Sequence, residues 1–321
     1  MSTKTGIIVL PSTSGMTRFQ SGRRWRGLLT FIVSAAAILA VPAARAAVSF
    51  PLYVSSGSQS ISQISSAGVV SPFATLSPGA FPEGLAFDGG GNLYAAADNT
   101  NQISKITPGG VVSLFATLPN STHVGLAFDG GGNLYAANAT IDQISKITPL
   151  GAVSLFATLP PPHAVPSGLA FDGNGSLYVA DHNTNQISKI TSGGVMSLFA
   201  TVSRPYGLAF DASGNLYASD TDTDQISEIT SGGVVSLFAT LPASSFPLGL
   251  AFDGSGNLYA ADFNTNQISK ISPDGLSVTS FATGISGPSF IAFVPEPSSA
   301  VLLAAGTLLL RRRRRIRVHA E

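Results

Sequence analysis

One phrase recurs along the middle of the chain and limits what it can fold into. Gly-Leu-Ala-Phe-Asp begins at Gly84, Gly125, Gly168, Gly207 and Gly249, at spacings of 41, 43, 39 and 42 residues. A degenerate copy, Phe290-Ile291-Ala292-Phe293, ends the series. A Leu-Tyr pair follows each full copy, at Tyr94, Tyr135, Tyr178, Tyr217 and Tyr259, and Tyr53 stands 41 residues before Tyr94 with no such phrase ahead of it. In a repeat of this length each unit is one supersecondary structure, and it buries its apolar faces only against its neighbours.

Each unit holds four short runs rich in Val, Ile, Leu, Phe and Tyr, separated by turn residues. In the first full copy they are Gly84–Phe87, 92–96, 102–107 and 111–117, with glycine-bearing turns at 88–92 and 107–110. Four strands per repeat of about 42 residues predict an all-β propeller. The ends give the blade count. Residues 52–55, 60–65 and 69–75 supply strands two, three and four of one blade, and residues 289–293 supply its strand one. The prediction is six blades of four antiparallel strands, in a ring closed by three N-terminal strands and one C-terminal strand. Closure removes the open edges of the array.

The two ends read as addresses. In residues 1–46, Arg23, Arg24 and Arg26 precede an apolar run from Leu28 to Val41, and Ala44-Arg45-Ala46 has the small-x-small pattern of a peptidase site. That is the layout of a signal peptide. It leaves a propeller at 47–293 and a tail at 294–321. In the tail, Val294-Pro295-Glu296-Pro297 leads into a short apolar run, Ala300 to Leu310, followed by six arginines between 311 and 317. The apolar run is shorter than the ~20 residues of a membrane span, and the arginines oppose translocation. This tail closely resembles the PEP-CTERM sorting signal. The resemblance implies export in a Gram-negative-type envelope, processing by an exosortase-type enzyme at the Pro295-Glu296-Pro297 motif, and a connection to exopolysaccharide or biofilm matrix.

The zero formal charge of the whole chain conceals segregation, since residues 47–293 hold five basic and fifteen acidic side chains. An acidic propeller repels phosphate backbones and is not expected to bind nucleic acid. The chain has no cysteine, which excludes disulfides and thiolate metal sites.

The repeats resemble the NHL, SMP-30 and virginiamycin B lyase-like propellers, through Asp253-Gly-Ser-Gly-Asn-Leu-Tyr-Ala-Ala-Asp262 and Gln267-Ile-Ser-Lys-Ile-Ser272. The resemblance implies that ligands sit over the central channel, where loops lead into the innermost strand. Two positions ahead of each Gly stand Pro82, His123, Pro166, Pro205, Pro247 and Pro288. One ahead stand Glu83, Val124, Ser167, Tyr206, Leu248 and Ser289, so Glu83 is the one carboxylate of that ring. SMP-30-type lactonases imply a divalent metal held by several acidic or amide side chains, and only Glu83 carries over. The lyase-like relatives imply a Glu and His constellation with magnesium, and here His163 and His182 lie in loops without a glutamate.

The expected polar cluster at this mouth is His163, His182, Arg204 and Tyr206, with Glu83 and His123 beside it. The Asp- and Asn-rich loops between strands two and three read as turn stabilisers. They also offer a hydroxyl-matching surface for polysaccharide, or a loose calcium site at Asp220, Asp222 and Asp224. The function expected from these residues is a non-enzymatic binding or scaffold propeller of the envelope or matrix, without a cofactor. The alternative is a calcium- or magnesium-dependent lactonase, hydrolase or lyase.

Overall fold

The structure, a computed structural model, describes residues 51–119 and 125–295. It contains twenty-four strands in six four-stranded antiparallel sheets. Blade 1 is β1 (Leu52–Ser56), β2 (Ser60–Ile64) and β3 (Val70–Thr75), completed on its inner side by β24 (Pro288–Phe293). The ring therefore closes as expected, with three strands from the N-terminal side and one from the C-terminal side. Blade 2 is β4 (Pro82–Phe87), β5 (Leu93–Ala97), β6 (Gln102–Ile106) and β7 (Val112–Thr117). Blades 3 to 6 repeat this order across residues 126–158, 166–201, 205–240 and 247–283.

The repeated motif residues are what one blade uses to grip the next. Tyr94 of blade 2 lies edge-on between Phe115 of its own outer strand and Phe128 of blade 3, with ring centroids 4.8 and 5.0 Å away. Tyr53, Tyr135, Tyr178, Tyr217 and Tyr259 make the same pair of contacts. Tyr259, the last of these, reaches Phe293, the last residue of the degenerate copy. Edge-to-face geometry is the preferred arrangement of two ring quadrupoles. Leu and Ile side chains of strands two and three fill the remaining space as six apolar clusters between blades.

The hairpin after each innermost strand carries its own device. Asp88 Oδ1 accepts from the backbone N–H of Gly90 and Asn92, and Oδ2 accepts from Asn92 Nδ2 and the Tyr94 hydroxyl. Burial raises the proton affinity of this carboxyl, but the bonds from Asn92, Gly90 and Tyr94 outweigh it and hold its pKa below the ordinary value. Lys105 Nζ lies over the Tyr94 ring at 5.5 Å, and Lys146, Lys189 and Lys270 repeat that contact. In blade 5 the equivalent residue is Glu228, opposite Tyr217 on the third strand and far from the channel mouth.

Strand limits differ from the sequence reading in one instructive way. Five of the innermost strands begin at the proline, four of them two residues earlier than expected and β24 one residue earlier, and in those four a register shift lies between Pro82 and Leu85 and its equivalents. Proline has no N–H to contribute to a ladder, so it is tolerated at the first position of a strand.

The motif glycine is required by close approach of neighbouring blades. A methyl group on Gly207 would overlap the Leu248 carbonyl, and one on Gly168 would overlap that of Tyr206. Gly207→Ala is therefore expected to destabilise the domain by about 2–3 kcal/mol through overpacking, seen as a clear drop in Tm. Gly130→Ala, where nothing lies within 4 Å, is expected to leave Tm nearly unchanged.

Candidate functional site

Chain direction puts the starts of strands one and three and the ends of strands two and four on the same face of every blade. On that face three columns of residues surround the channel and do not repeat. The column just before each proline is Phe81, Val165, Arg204, Phe246 and Gly287, and the column just after it contains Glu83, Ser167, Tyr206, Leu248 and Ser289. The third column follows strand two: Gly57, Asp98, Ala139, His182, Thr221 and Phe263. The first and third columns are joined by backbone hydrogen bonds from Asp98 to Phe81, His182 to Val165, Thr221 to Arg204 and Phe263 to Phe246.

Within these columns Glu83, Val165, Ser167, His182, Tyr206, Phe246, Leu248, Phe263 and Ser289 line a cavity of about 310 Å³. Tyr206 plugs its floor. The hydroxyl reaches across the channel toward Glu83 Oε2 of the opposite blade, at 3.5 Å. Desolvation of the hydroxyl first, then the charge and bond of Glu83 and the charge of Asp98, push the phenol pKa well above its ordinary value. Tyr206 is thus fixed as a hydrogen-bond donor. The His182 ring stands edge-on to Tyr206 with centroids 5.9 Å apart. Its Nε2 lies 3.4 Å from Arg204 Nε and 3.3 Å from Thr221 Oγ1. The N–H of Arg204 faces Nε2, which makes that nitrogen an acceptor and leaves the ring proton on Nδ1. Phe246 and Phe263, 6.3 Å apart, and Leu248 form an apolar wall from blade 6.

The geometry of the mouth depends on a latch between blades. Asp142 Oδ1 accepts from the backbone N–H of both Ala164 and Val165, and Asn185 Oδ1 accepts from that of Arg204. Asp224 accepts from Ser244 and Phe246, and Asn266 from Gly287. Each latch residue is the last one before strand three and has φ between 53° and 58°. Asn and Asp tolerate that left-handed conformation better than other non-glycine residues. The latched residues Val165 and Phe246 are themselves at φ 54° and 50°. For a β-branched residue this is a strained state, held only because its surroundings over-determine it.

These placements revise the expected site. Glu83, His182, Arg204 and Tyr206 come together at the mouth. His163 does not join them, because its Nδ1 lies 2.5 Å from Asp142 Oδ2, on the latch carboxylate of the preceding blade. His123 lies outside the described residues, as do Ala44, Ala46, Glu296 and Pro297, whereas Pro295 is the last residue described. The calcium arrangement is not formed. Asp220 is buried and accepts from the N–H of Asp222 and Thr223, Asp222 faces Arg204 at 3.5 Å, and Asp224 is a latch. Alternate loop residues send their carboxylates to three different partners, so they do not converge on one ion. Among the described residues no group of three His, Cys, Asp or Glu side chains is placed to hold a metal ion. The residues at the mouth therefore do not fit a divalent cation, which needs several oxygen ligands. Phe246, Phe263 and Val165 were not singled out from sequence. The available signal was their departure from the repeat, in columns whose neighbours stay constant.

A profile described as the virginiamycin B lyase family matches residues 52–271. The chain belongs to the virginiamycin B lyase family. No curated protein matches it. Among solved structures, a virginiamycin B lyase from Staphylococcus aureus is 24% identical, with a TM-score of 0.55, over 65% of this chain and 73% of that one. A streptogramin B lyase is 19% identical, with a TM-score of 0.61, over 77% and 91%. A nidogen/laminin complex aligns at 19% identity and a TM-score of 0.66, over 76% and 98%. At these identities the structures share the fold with this virginiamycin B lyase family member. Family membership favours the enzymatic alternative over the scaffold reading.

Beside the mouth, two aspartates at the ends of second strands are buried against serines of third strands: Asp181 Oδ2 with Ser188, and Asp262 Oδ2 with Ser269. Oδ1 of each lacks a partner. Burial is the main cause that raises their pKa values, to about 7 and about 6, against the lowering effect of the serine bonds. Because the folded values exceed the unfolded one, the native state binds the proton more tightly, and stability falls as pH rises from about 4 through 7. Blade 3 carries Asn138 at this position, with Nδ2 donating to Ser145. Asp181→Asn is therefore expected to raise stability at pH 8, by on the order of 3 kcal/mol, and to change it little at pH 4. Melting curves of wild type and variant at both pH values test this.

Proposed function

We propose that the mouth is a lyase-type site that works by proton transfer and hydrogen bonding from protein side chains, without a metal ion. The observation that carries this reading is His182 beside Tyr206 on the floor of a largely apolar cavity, in a chain of a lyase family. The substrate class that fits is a neutral or anionic ester or lactone with an apolar ring. The ring would pack on Phe246 and Phe263, and its carbonyl or carboxylate would engage Arg204. Drawing Arg204 onto the substrate turns its N–H away from His182 Nε2. That nitrogen takes the proton from the carbon next to the carbonyl, and the C–H electron pair becomes a C=C bond. The C–O bond to the ester breaks, and its electrons leave with the carboxylate. Tyr206, kept protonated, turns its one O–H from Glu83 to the departing oxygen and donates a hydrogen bond to it.

A second reading is favoured by a different observation. The exposed aromatic wall and the clustered donors also suit a sugar ring without any turnover, which fits a matrix role for a chain with a sorting tail at 294–321. Export, exosortase-type processing and residence at the cell surface or in the matrix are part of both proposals.

The test is purified chain with aryl-substituted β-acyloxy esters, following the absorbance of the alkene formed. Turnover that falls at least 100-fold in His182→Ala and at least 10-fold in Tyr206→Phe, and is unchanged by chelator, supports the lyase reading. Binding of matrix polysaccharide without turnover of any ester supports the second. Turnover abolished by chelator would sink the metal-free mechanism.

A further inference from the structure

On the face opposite the mouth, every blade turns from strand three to strand four at the outer rim, and every such turn carries one exposed aliphatic side chain. They are Val69, Val111, Leu150, Val195, Val234 and Leu276, between 63% and 96% exposed. Single exposed aliphatics are ordinary. Six of them in one kind of rim turn, one per blade, form a crown; five directly follow the glycine of their turns, and Leu150 stands two residues earlier in its own, where Ala152 takes that place.

The turns that carry the crown satisfy part of their own backbone. In residues 107–111 the N–H of Thr107 donates to the Val111 carbonyl, the N–H of Gly110 donates to the Thr107 carbonyl, and the N–H of Val111 donates to Thr107 Oγ1. The Ser or Thr bond recurs at Ser65, Thr148, Thr191 and Thr230, and Ser272 serves the same role for Ser277 in blade 6. These internal bonds lower the desolvation cost that otherwise keeps loops out of apolar surroundings. Across residues 65–69, 107–111, 148–152, 191–195, 230–234 and 272–276, Asp274 is the one charged side chain, in a propeller that is otherwise strongly acidic.

The path of the chain says what this crown meets. The innermost strand β24 runs from the mouth to the opposite face, so the chain leaves the propeller at Phe293 on the crown side. The apolar sequence Ala300 to Leu310 starts five residues after Pro295, and five residues reach at most about 18 Å. A tail that enters a bilayer therefore holds the crowned face against the lipid surface.

We propose that the crown is a lipid-docking surface. It seats the propeller on the membrane that receives the tail and points the mouth away from it. The interaction is apolar and calls for no anionic lipid. This goes beyond the mouth chemistry but rests on the reading of residues 294–321 as a membrane-directed tail.

The chain has no cysteine, so one introduced thiol gives one label. Full-length Leu150→Cys, Leu276→Cys and Asn183→Cys, the last on the mouth face, carry a polarity-sensitive dye and are mixed with phosphatidylcholine vesicles containing a lipid-borne quencher. The expected result is a blue shift and at least fivefold stronger quenching at 150 and 276 than at 183. Replacing the remaining crown residues with serine, with Tm checked, should abolish the difference while the chain still sediments with vesicles. Sedimentation with no quenching at 150 and 276, or with equal quenching at all three sites, overturns the docking proposal and leaves the tail reading standing. Failure of every form to sediment overturns both. A blue shift at 150 without vesicles assigns the crown to self-association and overturns the lipid assignment.

Discussion

The whole ring depends on one aromatic contact made six times. A tyrosine from the second strand of one blade is clasped edge-on by a phenylalanine from its own outer strand and by another from the next blade's inner strand. Each clasp sets the distance and angle between two sheets, and the glycine of the same motif lets their inner strands meet without a side chain between them. The degenerate last copy lacks the motif glycine and aspartate yet retains Phe293, the residue that Tyr259 needs. The constraint that survived degeneration is the one that closes the ring.

This division between gripping and facing positions explains what could be read from sequence. Strand number, blade number and mode of closure were legible because they rest on residues that recur: the phenylalanine, the tyrosine and the glycine-bearing hairpins. The mouth was legible only in part, because its residues are by nature the ones that do not repeat. Glu83 and Tyr206 stood out in a column next to a proline present in five of the six copies. Phe246 and Phe263 belong to columns that must be read across all six blades before their variation has meaning. His163 shows a further limit. Placement in the right loop does not fix where a side chain goes when a latch carboxylate lies within reach, as Asp142 does. The same latch chemistry accounts for Asp224, whose place in an acidic loop suggested an ion and whose carboxylate instead receives two backbone N–H groups.

Latch and mouth are mechanically one system. The residue that ends each second-to-third loop adopts a left-handed conformation and anchors the segment leading into the following blade. The latched segment then presents a strained Val165 or Phe246 to the cavity. A rigid scaffold holds variable residues in unfavourable backbone states, which is how loops on a propeller keep a defined shape while their sequences change.

Blade 1 is the one sheet assembled from both ends of the described chain, and its seam is β24 against β1. A tail fixed outside the propeller would pull on β24 along the strand direction. The hydrogen bonds of that seam would then be loaded in shear, all together, and would not peel apart one by one. The closing strand of the ring is also the strand that leads into the tail, so a tail held in this way would load the joint that completes the fold in the direction it resists well.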